Sequence, residues 1–254
     1  MDLHIRSTRD GSHTIYSEHF DQHYHNPNGA ISESRQVFFE PAKIVEKLKT
    51  RPSLNILEIG FGTGLNLLLL ADLMIPSPRC AKVIYQSVEA YPITSDIAQK
   101  LNYCNEIGNS ELKGFLPEIF NHLTPGKNSF QPITNLEVRI FYGLFEDMNS
   151  DDFKADVIFF DAFSPNVNPD LWTDTVFRTL KQSAMEDVVM TTYCAATRAR
   201  AAMASAGWFV ARAPGALGKR EMTIAALTPE PLKDYKRVNE QRLAERYNSG
   251  DFNS

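Results

Sequence analysis

From residue 54 onward, short apolar runs alternate with stretches of helical spacing. Leu54-Asn55-Ile56-Leu57-Glu58-Ile59 predicts a buried strand, and a glycine-rich turn leads from it into an apolar helix from Leu65 to about Met74. Val83 to Val88 predicts a second strand ending at Glu89, with a helix over Ile93 to Leu101. Residues 104–135 lack a clean period and predict irregular chain, with a helix near Glu111 to His122 and a polar loop through Pro125-Gly126. Leu136 to Phe141, Ala155 to Phe160 and Val188 to Thr192 follow as strands, with helices over Asp170 to Lys181 and Ala195 to Ala206. Trp208 to Arg212 and Met222 to Leu227 close the series as two strands.

Strands that alternate with helices predict an α/β fold, a mostly parallel sheet of seven strands with helices on both faces. The connection between the last two strands has no room for a crossover helix, so the last strand should run antiparallel. Before the regular region, residues 1–50 predict a lid: polar and aromatic chain with turns at Asn26-Pro27 and Asn28-Gly29, a short strand at Val37-Phe38-Phe39 and a helix over Ala42 to Lys49. Residues 51–228 form the α/β domain, and residues 229–254 a polar tail, part surface helix and part loose chain.

Composition narrows the setting. No apolar run approaches the roughly 18–20 residues of a membrane span, and the polar start lacks an apolar signal core. Cys80, Cys104 and Cys194 are too widely spaced for a metal pair or a disulfide framework, so a cytoplasmic location is expected. The net charge of −5 does not mark a nucleic-acid binder, yet Arg198, Arg200, Arg212, Lys219 and Arg220 follow one another with no carboxylate between them. His19, His23 and His25 have no acidic or cysteine partner at matching spacing, and no metal is expected.

The chemistry begins at the first strand's end. Open α/β sheets bind ligands at the carboxyl ends of their strands. Here Glu58-Ile59-Gly60-Phe61-Gly62-Thr63-Gly64 occupies that position. A dinucleotide fingerprint needs its third glycine at position 65, where Leu65 stands; the third glycine comes one residue early, at Gly64. Glu58 ahead of the glycines would repel a phosphate and suits a cationic ligand. S-adenosylmethionine carries a sulfonium and an ammonium group. Glu89, at the second strand's end, can accept hydrogen bonds from both ribose hydroxyls; a solvated strand end is the plainer alternative. Asn66, on the first helical turn, can reach the methionine moiety or be only an early-turn polar residue.

Asp156-Val157-Ile158-Phe159-Phe160-Asp161 delivers one carboxylate to the sheet's edge beside such a donor. If the acceptor is an amine, Asp161 can take its proton and orient it. The turn Asp161-Ala162-Phe163-Ser164 would also let Asp161 serve as a cap. Trp172 can line the pocket or pack in the core.

Four segments in this order resemble the methyltransferase half of the MnmC tRNA-modification family: Gly29 to Phe38, Glu58 to Asn66, Asp161 to Pro165 with Asn168 to Trp172, and Gly218 to Met222. The resemblance implies a class I, Rossmann-like methyltransferase that uses S-adenosyl-L-methionine to methylate the 5-aminomethyl group of a wobble uridine near the tRNA anticodon. It implies that Glu58, Gly60, Phe61, Gly62, Thr63, Gly64, Asn66 and Glu89 hold the donor and that Asp161 faces the acceptor amine. Glu33 and Arg35 would belong to the lid, Phe163 would meet the substrate, and Lys219 and Arg220 would approach RNA phosphates. The family carries an Asp directly after the glycine of the third strand; here Gly143 is followed by Leu144, with Glu146 and Asp147 the nearest acids. The bifunctional enzyme also carries a flavin-dependent domain, for which this sequence leaves no room, so a separate flavin enzyme is expected to supply the aminomethyl substrate. Two other functions stay open: a methyl- or aminopropyltransferase acting on a small molecule or protein, and a non-catalytic donor-binding subunit.

Overall fold

The computed structural model describes residues 2–76, 81–149 and 153–252. Cys80 lies outside them; Cys104 and Cys194 are free thiols. The chain opens with a small antiparallel sheet of β1 (Leu3–Ser7), β2 (His13–Ser17) and β3 (Gln22–His23). Helix α1 (Ala30–Ser34) then runs directly into a π-helical turn over Arg35–Phe39. The strand expected at Val37-Phe38-Phe39 does not form. A strand would send neighbouring side chains to opposite faces. Here all three are buried, and Phe38 and Phe39 both pack on Phe159, with ring centroids 5.2 and 5.6 Å away.

The main sheet follows. Helix α2 (Ile44–Thr50) leads into β4 (Ser53–Ile59), α3 (Leu65–Met74), β5 (Lys82–Glu89), α4 (Ser95–Lys100), α5 (Tyr103–Ile107) and α6 (Phe115–His122). Strands β6 (Gly126–Ile133), β7 (Leu136–Tyr142) and β8 (Ala155–Phe160) come next, then α7 (Asp174–Gln182), β9 (Ala184–Thr192) and α8 (Thr197–Ser205). Strands β10 (Phe209–Pro214), β11 (Glu221–Ala226), β12 (Lys236–Arg237) and helix α9 (Glu240–Asn248) complete the chain.

The order across this sheet is β12-β10-β11-β9-β8-β4-β5-β7-β6. Strands β9, β8, β4, β5 and β7 run parallel, and β11 is antiparallel to both β9 and β10, as its short connection requires. The sheet has nine strands rather than the expected seven because β6 and β12 extend its edges. Strand β6 lies in the region expected to be irregular. It pairs only with β7 and is half exposed, so its sequence GKNSFQPI shows no apolar run, and an edge tolerates its Pro132. The predicted helix over Asp170 to Lys181 is split: a 3-10 turn over Pro169–Trp172, then α7, capped by the Thr173 side chain. The residues after 228 contribute β12 on β10, and α9 places the Tyr247 hydroxyl to accept from the Asp174 backbone N–H at 3.2 Å.

Chain order sets the site. From β4 the chain moves outward through β5 and β7, then returns to β8 on the other side of β4. The crevice at the carboxyl ends of β4 and β8 is therefore the topological switch point. Helix α3 backs β4 and is buried on nearly every face, which explains its unbroken leucines.

The basic run is partly consumed by the fold. Arg200, 4 % exposed, donates to the Thr223 hydroxyl at 2.9 Å, the Met222 carbonyl at 3.1 Å and Glu221 at 3.1 Å, tying α8 to β11. Glu221 also accepts from Arg212. Arg200→Met should lower unfolding free energy by about 2–3 kcal/mol, since three acceptors lose a charged donor. Urea denaturation checks this; an unchanged midpoint would mean the tie contributes nothing.

Candidate active site

Gly60, Gly62 and Gly64 all have left-handed backbone, with φ of 93°, 55° and 75°. Gly60 has a second constraint: a Cβ there would lie 2.8 Å from the Asp161 carbonyl oxygen. The ends of β4 and β8 thus touch backbone to backbone, and Asp161 N–H donates to the Ile59 carbonyl at 2.9 Å. This contact places the Asp161 side chain over the glycine loop.

A cavity of about 350 Å³ opens at this edge. Gly60, Phe61, Gly62, Asn66, Glu89, Leu144, Asp161 and Phe163 all line it. Glu58, Thr63 and Gly64 do not. Thr63 is fully buried, and its hydroxyl oxygen meets His25 Nε2 at 2.8 Å and accepts from the Tyr103 hydroxyl at 3.1 Å. It therefore ties the glycine loop to the N-terminal segment. Burial pulls the His25 pKa down to about 4, so this ring is neutral.

Glu58 sits behind the loop, 1 % exposed. It accepts from Asn66 Nδ2 at 2.9 Å and from the Ser87 hydroxyl at 3.0 Å. Asn66 Nδ2 also donates to Asp161 Oδ2 at 3.2 Å, so one amide bridges two carboxyl groups. Burial pushes the Glu58 pKa up to about 8, and the same effect, reinforced by the charges of Glu58 and Glu33, drives Asp161 well above the usual carboxylate range. The other end of the amide, Asn66 Oδ1, is buried without a hydrogen-bond partner. An ammonium group would satisfy that acceptor, and a cation would favour ionisation of both carboxyls. The residues present therefore fit S-adenosyl-L-methionine.

Glu89 is held by the backbone N–H groups of Gly62, at 2.7 Å, and Tyr91, at 2.8 Å. Each oxygen takes one of these and keeps a lone pair that ribose hydroxyls can use. Leu144, 47 % exposed, stands at the rim where the family has its Asp, and Glu146, unlike Asp147, also lines the cavity.

The N-terminal segment roofs the cavity. Phe163 packs at a tilt against Phe20 at 4.6 Å and edge-on with Tyr24 at 5.1 Å, while Phe20 meets Tyr91 at 5.6 Å. Trp172 is core: fully buried, it packs on Phe160 at 4.8 Å and donates to the Phe163 carbonyl at 2.7 Å. Tyr193, which sequence reading missed, lines the cavity just past β9 and donates its hydroxyl to the Ala162 carbonyl at 2.8 Å. Its only sequence signal was its position after a buried strand, the same signal that marked Asp161. Glu33 and Lys219 meet each other at 2.9 Å in a neighbouring cavity, while Arg35 and Arg220 are exposed and line neither. Among the described residues no group of three or more His, Cys, Asp or Glu is placed to hold a metal, and no helix is long and apolar enough to cross a membrane.

Residues 111–228 match a family described as S-adenosyl-L-methionine-dependent methyltransferase. The chain is 32 % identical over 221 residues to the tRNA 5-methylaminomethyl-2-thiouridine biosynthesis bifunctional protein MnmC of Cupriavidus metallidurans, covering 85 % of this chain and 33 % of that one. To the protein of the same description from Leptospira interrogans it is 29 % identical over 229 residues, covering 87 % and 35 %. The chain thus spans about a third of the length of these relatives. Among solved structures, MnmC2 from Aquifex aeolicus superposes with a TM-score of 0.71 at 27 % identity, covering 96 % of this chain and 75 % of that one. Fold, cleft and family match define a Rossmann-like methyltransferase whose cofactor is S-adenosyl-L-methionine. Within that class the chain is similar over most of its length to MnmC-like methyltransferase domains.

Proposed function

We propose that the chain methylates the amine of a 5-aminomethyl group on a wobble uridine of tRNA, giving 5-methylaminomethyl-(2-thio)uridine. The observation that carries this reading is Asp161, which lines both the cavity assigned to the donor and the cavity beside it. A methyl acceptor must meet the donor at such a junction, and an amine acceptor needs a base there.

The cofactor supplies an activated methyl group on a sulfonium. Gly60, Gly62 and Asn66 would hold it along the loop, Glu89 would accept from its ribose hydroxyls, and Leu144 would meet its adenine. Glu58 fixes the Asn66 amide from behind. Asp161 takes a proton from the acceptor ammonium before transfer, which frees the nitrogen lone pair, and then orients the neutral amine for in-line attack. Phe163 and the rings of Phe20 and Tyr24 exclude water and offer an apolar face to the base. Glu33 and Arg35 belong to the lid, and Lys219 and Arg220 contact RNA phosphates. The setting is the cytoplasm, and a flavin-dependent enzyme supplies the aminomethyl group.

Incubation with donor labelled in its methyl group and tRNA bearing 5-aminomethyluridine should place label in the wobble nucleoside. Label confined to small metabolites would overturn the reading. Reversing charge at Lys219 and Arg220 together should cut activity on tRNA about tenfold or more while donor binding persists; unchanged activity would point to a small-molecule acceptor.

A further inference from the structure

The second cavity, about 330 Å³, lies between the N-terminal segment and the loop joining β10 to β11, and shares Asp161 and Tyr193 with the donor cavity. Its wall has the composition of a cation site. Glu33 is only 8 % exposed; its Oε2 is fixed by the Asn26 backbone N–H at 2.7 Å, which leaves Oε1 aimed at Lys219 Nζ, 2.9 Å away. The same Nζ lies 5.0 Å from the centre of the Tyr193 ring. Carboxylate contact and an aromatic face together are how proteins hold alkylammonium groups. Among the described residues lining this cavity, Lys219 is the only Lys or Arg; it contacts Glu33, and its charge acts on Asp161. Its side chain is 43 % exposed and reaches in from a loop.

We infer that Glu33, Asp161 and the Tyr193 ring form a subsite for a primary ammonium group on the acceptor, and that Lys219 occupies its place in this structure and yields it when the acceptor enters. The inference rests on the reading of the chain as an amine methyltransferase. The exchange is balanced: one ammonium replaces another on Glu33, so no buried carboxylate is left unpaired. A neutral hydroxymethyl analogue cannot make that exchange, since displacing Lys219 would strand Glu33. The subsite therefore selects amines over alcohols of the same shape. An ion pair with a half-exposed partner contributes little net stability, so displacing Lys219 costs the acceptor on the order of fivefold in affinity. Once released, the lysine faces an open groove with Arg9, Asn28 and Gly218, where a backbone phosphate can take it up.

The test uses the full chain with S-adenosylhomocysteine, titrated calorimetrically with two amines, 5-aminomethyluridine and benzylamine, and their alcohol counterparts, 5-hydroxymethyluridine and benzyl alcohol. Lys219→Ala should tighten both amines about fivefold, keep each amine tighter than its alcohol counterpart, and raise KM for tRNA. Glu33→Gln should weaken the amines at least tenfold, alone and combined with Lys219→Ala. Amine affinity that stays level or falls in Lys219→Ala overturns the inference, because a lysine serving only phosphates would not compete with a free nucleoside. The two readings fail separately. Benzylamine tightening without methyl transfer to aminomethyl-tRNA retains the subsite and discards the tRNA acceptor; transfer to tRNA without tightening discards the subsite.

Discussion

Asp161→Asn should slow methyl transfer by about 10²- to 10⁴-fold while donor affinity changes far less. The substitution keeps the size of the side chain and can still offer an oxygen to Asn66 Nδ2, which bonds the carboxyl at 3.2 Å. What it removes is the group that accepts a proton. The carboxyl is well suited to that task, because burial, then the charges of Glu58 and Glu33, raise its pKa well above the ordinary carboxylate value and so raise its affinity for a proton. The same shift sets the sign of the pH dependence. The base acts only when ionised, so the wild-type single-turnover rate should climb as pH rises through the elevated pKa of Asp161. Before the acceptor enters, Lys219 opposes the shift, so Lys219→Ala should move the corresponding climb in kcat/KM to higher pH. In Asp161→Asn this limb should vanish. Single-turnover measurement with donor pre-bound keeps product release from masking the step. A variant with the wild-type rate would remove Asp161 from the chemistry and leave it the turn cap that its sequence also allows.

The parallel core was legible because strands buried on both faces read as unbroken apolar runs, as in Leu54 to Ile59 and Ala155 to Phe160. A carboxylate that ends such a run falls at the sheet's ligand-binding edge by construction, which is why Glu89 and Asp161 could be placed from sequence. Other parts carry no such local signal. Strand β6 shows its neighbour only one side and looks like a loop. The π-helical turn depends on Phe38 and Phe39 finding Phe159, some 120 residues away. The second cavity is assembled from segments that do not adjoin in sequence: Lys219 meets Glu33 across 186 residues, and Gln22 accepts from the Ser164 hydroxyl across 142 residues. Nothing near Lys219 announces a carboxylate partner, so the contact with Glu33 could not be read from the sequence. Glu58 is an intermediate case. Its residue type suggests a cation, but the side chain lies behind Asn66, outside the cavity lining, and accepts from that amide.

That position makes Glu58 the source of a second large effect. Without donor, the protein should lose stability as pH rises from about 5 to 8, and Glu58→Gln should abolish much of that loss. The sign follows from where the proton is held. An unfolded glutamate releases its proton near 4.5, whereas burial keeps the folded one protonated to about 8. Between those values the folded state binds the extra proton, so each step upward in pH favours unfolding. Stabilisation is fully present below the unfolded pKa and gone above the folded one. A shift of that size corresponds to on the order of 4 kcal/mol. Glutamine resembles the protonated acid: its oxygen still accepts from Asn66 Nδ2, its NH2 can donate to the Ser87 hydroxyl oxygen, and it does not ionise. The variant should therefore match the wild type near pH 5 and exceed it at pH 8. Asp161 and Glu89, also raised by burial, add slope of the same sign to both proteins; Glu58→Gln removes a charge that raises Asp161 as well, so the difference between the two curves reports Glu58 together with its coupling to Asp161. Urea midpoints at pH 5, 6.5 and 8 measure it, and parallel curves would show that Glu58 is ionised in the fold without donor. The donor itself completes the argument. A cation beside Asn66 favours the ionised acid, so donor affinity should rise with pH in the wild type, and glutamine at position 58 should flatten that rise together with the stability curve. Flattening of only one of the two would separate the carboxyl's part in the fold from its part in holding the donor.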